Sequence, residues 1–103
     1  MAIRFLQEKD MTLVAKNYRH RRGEIDLVMR SHGTLVFVEV KLRRNANFGH
    51  PETFVDPAQA ERIAEAADHY VHETDWEGNI RFDIIAITLQ PQATIEHFED
   101  AFY

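Results

Sequence analysis

An alternating stretch between residues 23 and 44 constrains the fold of this chain more than any other part of the sequence. Apolar residues occupy every second position in both of its halves. The alternating residues are Ile25, Leu27 and Met29 in the first half and Val36, Val38 and Val40 in the second. A period of two over this length predicts two β-strands. His32-Gly33 lies between them, and a glycine in the second central position suits a tight antiparallel hairpin.

The turn also predicts which residues face each other across the hairpin. If the two residues that flank the turn pair, Asp26 lies directly opposite Glu39, and Glu24 lies opposite Lys41. Side chains opposite each other on one face have Cβ atoms about 4.5–5.5 Å apart, and like charges there destabilise a sheet. A divalent cation with oxygen ligands is the simplest compensation. A slip of one residue would send Asp26 and Glu39 to opposite faces.

Composition limits the class of protein. With 103 residues and 45% hydrophobic content, the chain is expected to form a single globular domain over residues 1–103. It has no cysteine, which excludes a disulfide framework, a thiolate metal site and a cysteine nucleophile, and fits a cytoplasmic location. We expect neither a membrane span nor a signal peptide, because no long apolar run is present.

Charge is distributed unevenly along the chain. The net charge is −5, yet residues 1–44 carry ten Lys/Arg and five Asp/Glu, whereas residues 45–103 carry two and twelve. This asymmetry fits a face that binds an anionic partner, although chance segregation of solvated charge gives the same pattern. The basic run over residues 16–22 contains Tyr18. It fits either phosphate binding or a solvated turn.

The remaining segments predict a mixed sheet covered by helices. We expect a short helix over residues 2–9, a strand over 11–18, a loop over 45–56, a helix over 57–73, a strand over 80–89 and an edge strand over 94–98. Asp56 and Pro57 predict the start of the long helix as its cap and first residue. Its predicted apolar stripe consists of Ala60, Ile63, Ala64, Ala67, Tyr70 and Val71. A helix that connects two strands implies a parallel neighbour and a right-handed crossover.

Two further groups of residues have a structural and a functional interpretation. His69 and His72 are three residues apart beside acidic side chains, but nothing completes a metal-ligand set, so a solvated helix face is favoured. Asp83 interrupts an apolar strand face. It is interpreted either as a third acidic site residue or as a structural carboxylate with satisfied hydrogen bonds, and the structural interpretation is favoured.

Several motifs together resemble one protein family over nearly the whole chain. They are Asn17-Tyr18-Arg19, Arg22-Gly23-Glu24-Ile25-Asp26-Leu27, Val36-Phe37-Val38-Glu39-Val40-Lys41 followed by Arg43, Phe48-Gly49 followed by Pro51, and Arg81-Phe82-Asp83. This set resembles the YraN-like family of the restriction-endonuclease-like PD-(D/E)XK superfamily. The resemblance implies an α/β fold with a three-strand antiparallel meander, a crossover helix and a parallel strand. It also implies a metal-dependent phosphodiesterase.

The chemistry of phosphodiester hydrolysis suggests a role for each candidate residue. Asp26 and Glu39 are expected to hold Mg²⁺ or Mn²⁺, with the carbonyl of Val40 as a further ligand implied by the resemblance. Lys41 is expected to orient the water or stabilise developing charge, and Glu24 to hold Lys41 or reach a second metal. The phosphates of the nucleic-acid backbone are expected to be bound by four arginines, Arg19, Arg21, Arg22 and Arg43. The alternative for the four central residues is a surface ladder of charges on the hairpin.

A second function remains open on the same fold. In the family the first helix is usually longer and carries a glutamate ahead of the point where this sequence starts. This difference favours a catalytically inactive module that binds nucleic acid or a protein partner. The expected partner of the active form is nucleic acid, with DNA preferred and structured or branched DNA as one option. No membrane partner is expected, and a homodimer is an open alternative.

Overall fold

The computed structural model describes residues 1–44 and 55–102 and contains two helices and five strands in that part of the chain. They are α1 (Ala2–Gln7), β1 (Thr12–His20), β2 (Gly23–Ser31), β3 (Thr34–Arg43), α2 (Pro57–Thr74), β4 (Asn79–Thr88) and β5 (Thr94–Phe98). The strands form one sheet in chain order, and β3 and β4 are parallel while the other neighbours are antiparallel. The predicted mixed α/β architecture is therefore confirmed, and it is consistent with a restriction-endonuclease-like fold.

The hairpin register is also confirmed. The pairing of β2 with β3 runs from Ser31–Thr34 at the turn to Leu27–Val38. His32 and Gly33 both have positive φ, at 48° and 80°. Two such residues give the turn the twist that matches antiparallel strands. The local sequence of the turn thus decides the register of the hairpin as far as Leu27–Val38, and the predicted pairs Asp26–Glu39 and Glu24–Lys41 lie beyond this ladder.

Strand β2 does not alternate as simply as predicted. Leu27 packs with Val38 against α1, but Ile25 packs with Val28 in the cluster under α2, so the prediction that Ile25 and Leu27 share a face is wrong. The change of face falls at Asp26, which lies between Ile25 and Leu27. The ladder between β2 and β3 ends at Leu27–Val38, and the Asp26 side chain accepts the next hydrogen bond, from the Val40 N–H. Faces alternate only while a strand keeps its regular pleat, so the change of face at Asp26 places Ile25 and Leu27 on opposite sides of the sheet.

Two apolar clusters hold the layers together. The first lies between α1 and the sheet and includes Leu6, Met29, Val36, Val38 and Ile85. The second lies between α2 and the opposite face and includes Ile25, Val28, Phe37, Ile63 and Tyr70. Apolar side chains of the central strands are therefore buried on both faces of the sheet, as the sequence of β4 predicted.

Helix α2 begins and ends where its local chemistry predicts. The Asp56 side chain accepts a hydrogen bond from the Gln59 N–H at 2.8 Å, and Pro57 occupies the first turn. Asp75 ends the helix in a left-handed conformation. The buried residues are Ile63, Ala66, Ala67 and Tyr70, so the predicted stripe missed Ala66, and its members Ala60, Ala64 and Val71 are only partly buried.

The other predicted boundaries shift by a few residues. Helix α1 ends earlier than predicted, at Gln7, and β1 continues to His20 because its last residues pair with β2. Strand β4 starts and ends one residue early, and the bounds predicted for β5 are confirmed. The predicted loop motif Phe48-Gly49-x-Pro51 lies outside the described residues. Within residues 1–44 and 55–102, neither helix is long and apolar enough to cross a membrane.

Candidate active site

An acidic cavity of about 270 Å³ opens between the end of the hairpin and the first turns of α2. Its polar lining comes from β2, β3, α2 and the turn between β1 and β2. The lining side chains are Arg22, Glu24, Asp26, Glu39, Gln59, Arg62 and Ile63. Three of the four predicted catalytic residues therefore meet in one cavity.

The Asp26 carboxylate lies at the point where the two hairpin strands separate. The ladder between β2 and β3 is described as far as Leu27–Val38, and the next N–H of β3, from Val40, donates to Asp26 Oδ2 at 2.8 Å. The Asp26 side chain thus accepts a hydrogen bond from a backbone N–H that has no partner in the ladder between β2 and β3. This hydrogen bond fixes the half-buried carboxylate between the strands, beside Glu39.

Glu39 is a buried acid in direct contact with another acid. Its side chain is on the face covered by α2, only 8% of the residue is exposed, and Gln59 Nε2 donates to its Oε2 at 3.3 Å. Burial, followed by the hydrogen bond and charge of Asp26, raises the pKa of Glu39 to about 8, against the lowering effect of Lys41. At neutral pH the pair therefore holds a proton between two carboxyl groups.

Lys41 and Glu24 differ in their relation to this pair. Lys41 lies two positions after Glu39 on β3, hence on the same face, and its charge favours the ionised form of Glu39. The carboxylate of Glu24 binds Arg19 Nε at 2.8 Å. Glu24 thus forms an ion pair with the neighbouring strand, and its support of Lys41 or of a second metal stays a prediction.

The four arginines predicted to bind phosphate do not form one surface. Arg22 lines the acidic cavity, and Arg21 lines a second cavity on the other side of the β1–β2 turn. Arg19 is exposed and paired with Glu24, as described above. Arg43 is turned toward β5, where its guanidinium binds Thr88 Oγ1 and Glu96 Oε1, both at 2.6 Å, with 13% of its side chain exposed. Phosphate binding by these residues stays a prediction.

Sequence reasoning missed two polar residues of the cavity, Gln59 and Arg62. Both lie on α2, about twenty positions after Glu39 in the chain. The spacing of three residues that places both side chains on one helix face was the available signal, but it does not reveal which strand the face approaches.

The fit of the cavity to a cation rests on the two contacting carboxyl groups. Within residues 1–44 and 55–102 there is no group of three or more His, Asp or Glu side chains arranged to hold a metal. Mg²⁺ requires only one or two carboxylates, because it retains several of its waters. Asp26 and Glu39 with a cavity of about 270 Å³ therefore suit such an ion better than a metal that needs a full protein cage.

Asp83 lies outside this cavity and is fully buried on the α1 side of the sheet. Arg81 binds it through two nitrogens, both at 2.8 Å, and it also contacts His97 Nε2 at 2.7 Å and the Asp100 N–H at 3.0 Å. Burial alone would raise the pKa of Asp83, but these hydrogen bonds lower it below its usual value. These contacts support the structural interpretation of this residue.

The second cavity has a volume of about 410 Å³, and three histidine side chains belong to its lining. Its lining consists of His20, Arg21, Glu65, Asp68, His69 and His72. His69 and His72 also approach acidic side chains one turn away on the helix, at 3.6 and 3.5 Å. The described residues provide no three-ligand metal group here either.

Comparison with known proteins identifies relatives of the whole chain. A model of the uncharacterised protein family UPF0102, which is the YraN-like family, matches residues 1–87. A UPF0102 protein of Christiangramia forsetii is 38% identical over 104 residues, covering 100% of this chain and 87% of that protein. UPF0102 proteins of Flavobacterium psychrophilum and Solibacter usitatus are 40% and 43% identical, covering 87% and 80% of those proteins and 100% and 99% of this chain.

Proposed function

This chain belongs to the uncharacterised protein family UPF0102, and we propose that it is a metal-dependent nuclease of the restriction-endonuclease-like superfamily. Its substrate would be the phosphodiester bonds of nucleic acid, with DNA preferred over RNA. One observation carries the proposal: Asp26 and Glu39 place two carboxyl groups in contact inside a cavity, and burial raises the pKa of Glu39 to about 8. Two acids held this way suit a divalent cation, which replaces the shared proton.

Asp26, Glu39 and the carbonyl of Val40 would hold the ion. A bound Mg²⁺ or Mn²⁺ supplies positive charge to the phosphate and acidifies a bound water. The protein itself keeps Asp26 in position through the Val40 N–H, and it orients Glu39 through Gln59. Such hydrogen bonds to the ligands orient them and support metal binding.

Hydrolysis also needs positive charge where negative charge develops on the phosphoryl oxygens. Lys41 follows Glu39 on the same strand face and is placed to provide it, or to orient the attacking water. Arg22 and Arg62 line the cavity and suit the neighbouring phosphates of the strand. Contacts of this kind position nucleic acid without reading its sequence.

The alternative function is a catalytically inactive module that binds nucleic acid or a protein partner. It is favoured by the small ligand set, since within the described residues no third acidic side chain joins Asp26 and Glu39 in a metal-binding group. Glu24, the nearest further acid in the cavity, is bound to Arg19. A module of this kind would bind nucleic acid without cleaving it.

Cleavage of labelled DNA tests the two functions. Wild type is incubated with supercoiled plasmid and with branched oligonucleotides in Mg²⁺, Mn²⁺ or EDTA, beside Glu39→Gln and the control Glu61→Gln. Glu61 is exposed on the same helix as Gln59 and lies outside the cavity lining. We expect cleavage by wild type and the control only with metal, and none by Glu39→Gln. Equal cleavage by all three proteins would indicate a contaminating nuclease, and metal-independent binding without cleavage would favour the alternative.

A further inference from the structure

We propose that the second cavity is a subsite for one unpaired nucleobase that carries an amino group, next to the phosphate in the acidic cavity. The inference rests on the proposed function for the position of the scissile phosphate. The subsite itself consists of a row of three stacked rings, a cation at the β1–β2 turn and two acidic side chains on α2.

The row of rings is built where β1 meets α2. His20 and His69 stack with their centroids 3.8 Å apart and their planes 15° apart. Tyr18 stacks on His69 with centroids 6.2 Å apart, and its hydroxyl contacts His69 Nδ1 at 2.5 Å. Tyr70 holds Tyr18 in turn through an edge-to-face contact at 5.0 Å. The row is therefore anchored to the core at Tyr18, and His20 lies at its other end.

The face of His20 opposite His69 is the surface on which a base can stack. In the described part of the chain no second aromatic ring covers this face, and His20 lines the cavity of about 410 Å³. A cavity of this size is within the range of small-ligand sites. Bases of single strands stack on aromatic side chains of this kind in many nucleic-acid-binding proteins.

The position of the cavity connects it to the proposed active site. Arg21 and Arg22 are consecutive residues of the β1–β2 turn, yet Arg21 lines this cavity and Arg22 lines the acidic one. Helix α2 borders both cavities, through Arg62 on one side and Glu65 on the other. A strand whose phosphate lies beside Asp26 and Glu39 would therefore place a neighbouring nucleotide at Arg21.

The acidic lining decides which part of that nucleotide faces the helix. Glu65 and Asp68 would repel a phosphate, so the phosphate belongs at Arg21 and the base at α2. Carboxylates accept hydrogen bonds from amino groups such as N4 of cytosine, which thymine lacks. The lining therefore favours cytosine, adenine or guanine over thymine.

A base inside a duplex cannot use this subsite, because its two faces are already stacked on neighbouring bases. The substrate would thus have an unpaired nucleotide beside the cleaved bond, as in a single strand, an overhang or a branch point. A metal ion is a poorer occupant of the cavity. Two nearly parallel imidazoles 3.8 Å apart do not direct their nitrogens to one point between them, and the described residues contain no three-ligand group.

Binding of labelled oligonucleotides in EDTA tests the subsite without any contribution from metal or cleavage. Fluorescence anisotropy measures the affinity of wild type, His20→Phe and His20→Leu for oligo-dC, oligo-dT and a blunt duplex of equal length. His20→Leu keeps an apolar side chain but loses the ring, whereas His20→Phe keeps the ring. His32→Asn is the matched control, because it removes an exposed imidazole at the hairpin turn, outside both cavities, and asparagine tolerates the positive φ of that position.

We expect His20→Leu to weaken binding of oligo-dC by about 5- to 150-fold, the range that corresponds to about 1–3 kcal/mol of stacking per base. His20→Phe and His32→Asn should bind oligo-dC as wild type does, and wild type should bind oligo-dT more weakly than oligo-dC. Equal affinities of His20→Leu and His20→Phe for oligo-dC would overturn the stacking subsite. Equal affinities of wild type for oligo-dC and oligo-dT would overturn the assignment of Glu65 and Asp68. Loss of cleavage with this binding pattern intact would refute the proposed nuclease function alone.

Discussion

Replacing Glu39 with glutamine should make the metal-free protein more stable at high pH. The substitution keeps the size of the side chain but removes its charge. The pKa of Glu39 rises from 4.5 to about 8 on folding, mainly through burial and secondarily through Asp26. The native state therefore binds the proton more tightly than the unfolded state. This contribution to stability is present below about pH 4.5 and is lost as the pH rises to about 8.

The size of the effect follows from the pKa difference. One pKa unit corresponds to about 1.4 kcal/mol, so the rise from 4.5 to about 8 corresponds to a loss of up to about 5 kcal/mol between these pH values. Glutamine stays neutral, so the variant escapes this loss. We expect wild type and Glu39→Gln to have similar unfolding free energies near pH 4.5, and the variant to be more stable by up to about 5 kcal/mol above pH 8.

Urea unfolding followed by circular dichroism measures this difference at a series of pH values in EDTA. A second series contains Mg²⁺ or Mn²⁺. Ligand binding to the native state should stabilise wild type by about 2.7 kcal/mol at a metal concentration of 100 times Kd, and it should leave Glu39→Gln nearly unchanged. At this concentration metal should therefore reduce the advantage of Glu39→Gln at high pH from up to about 5 kcal/mol to about 2 kcal/mol.

The control is Glu61→Gln, which removes one carboxylate at an exposed position of α2. It should follow wild type at every pH. The reasoning is refuted if the difference between wild type and Glu39→Gln is the same at low and high pH. Equal stabilisation of wild type and Glu39→Gln by metal would show that the cation binds at a site other than Glu39.

Three further predictions concern single residues. Asp26→Asn should be as stable as wild type or slightly more stable in EDTA above about pH 8, where Glu39 is ionised as well, because opposed like charges cost about 0.2–1 kcal/mol. With Mg²⁺ the variant should be less stable than wild type; clear destabilisation in EDTA, measured by thermal unfolding, would make Asp26 a structural carboxylate. Ile63→Ala should cost about 2–5 kcal/mol in urea unfolding, because Ile63 is buried under the sheet; a loss below about 0.5 kcal/mol, as at surface positions, would contradict this packing. Asp83→Ala should cost about 3–5 kcal/mol at neutral pH, because it removes the buried acid that the Arg81 guanidinium and the buried His97 ring contact. The pKa of Asp83 is lowered on folding. The stability that its charge contributes is therefore present above its unfolded pKa and should disappear as the pH falls through its folded pKa. An unfolding free energy that is independent of pH in that range would argue against a stabilising role of this carboxylate.

The sequence alone determined the features that depend on neighbouring residues. The hairpin register follows from a two-residue turn and a period of two, and both are local. The start of α2 follows from Asp56 and Pro57, whose hydrogen bond and fixed φ act within one turn. The contact of Asp26 with Glu39 is predictable for the same reason, since one short hairpin carries both residues.

Only the tertiary structure decided how distant segments meet at the site. Gln59 reaches Glu39 because α2 packs on the sheet at a particular position, and Arg43 turns to Glu96 because β5 lies beside β4. The stack of His20 on His69 joins residues 49 positions apart in the chain. Such contacts arise from the packing of whole elements, whose position depends on many side chains at once, and no local period or motif encodes them.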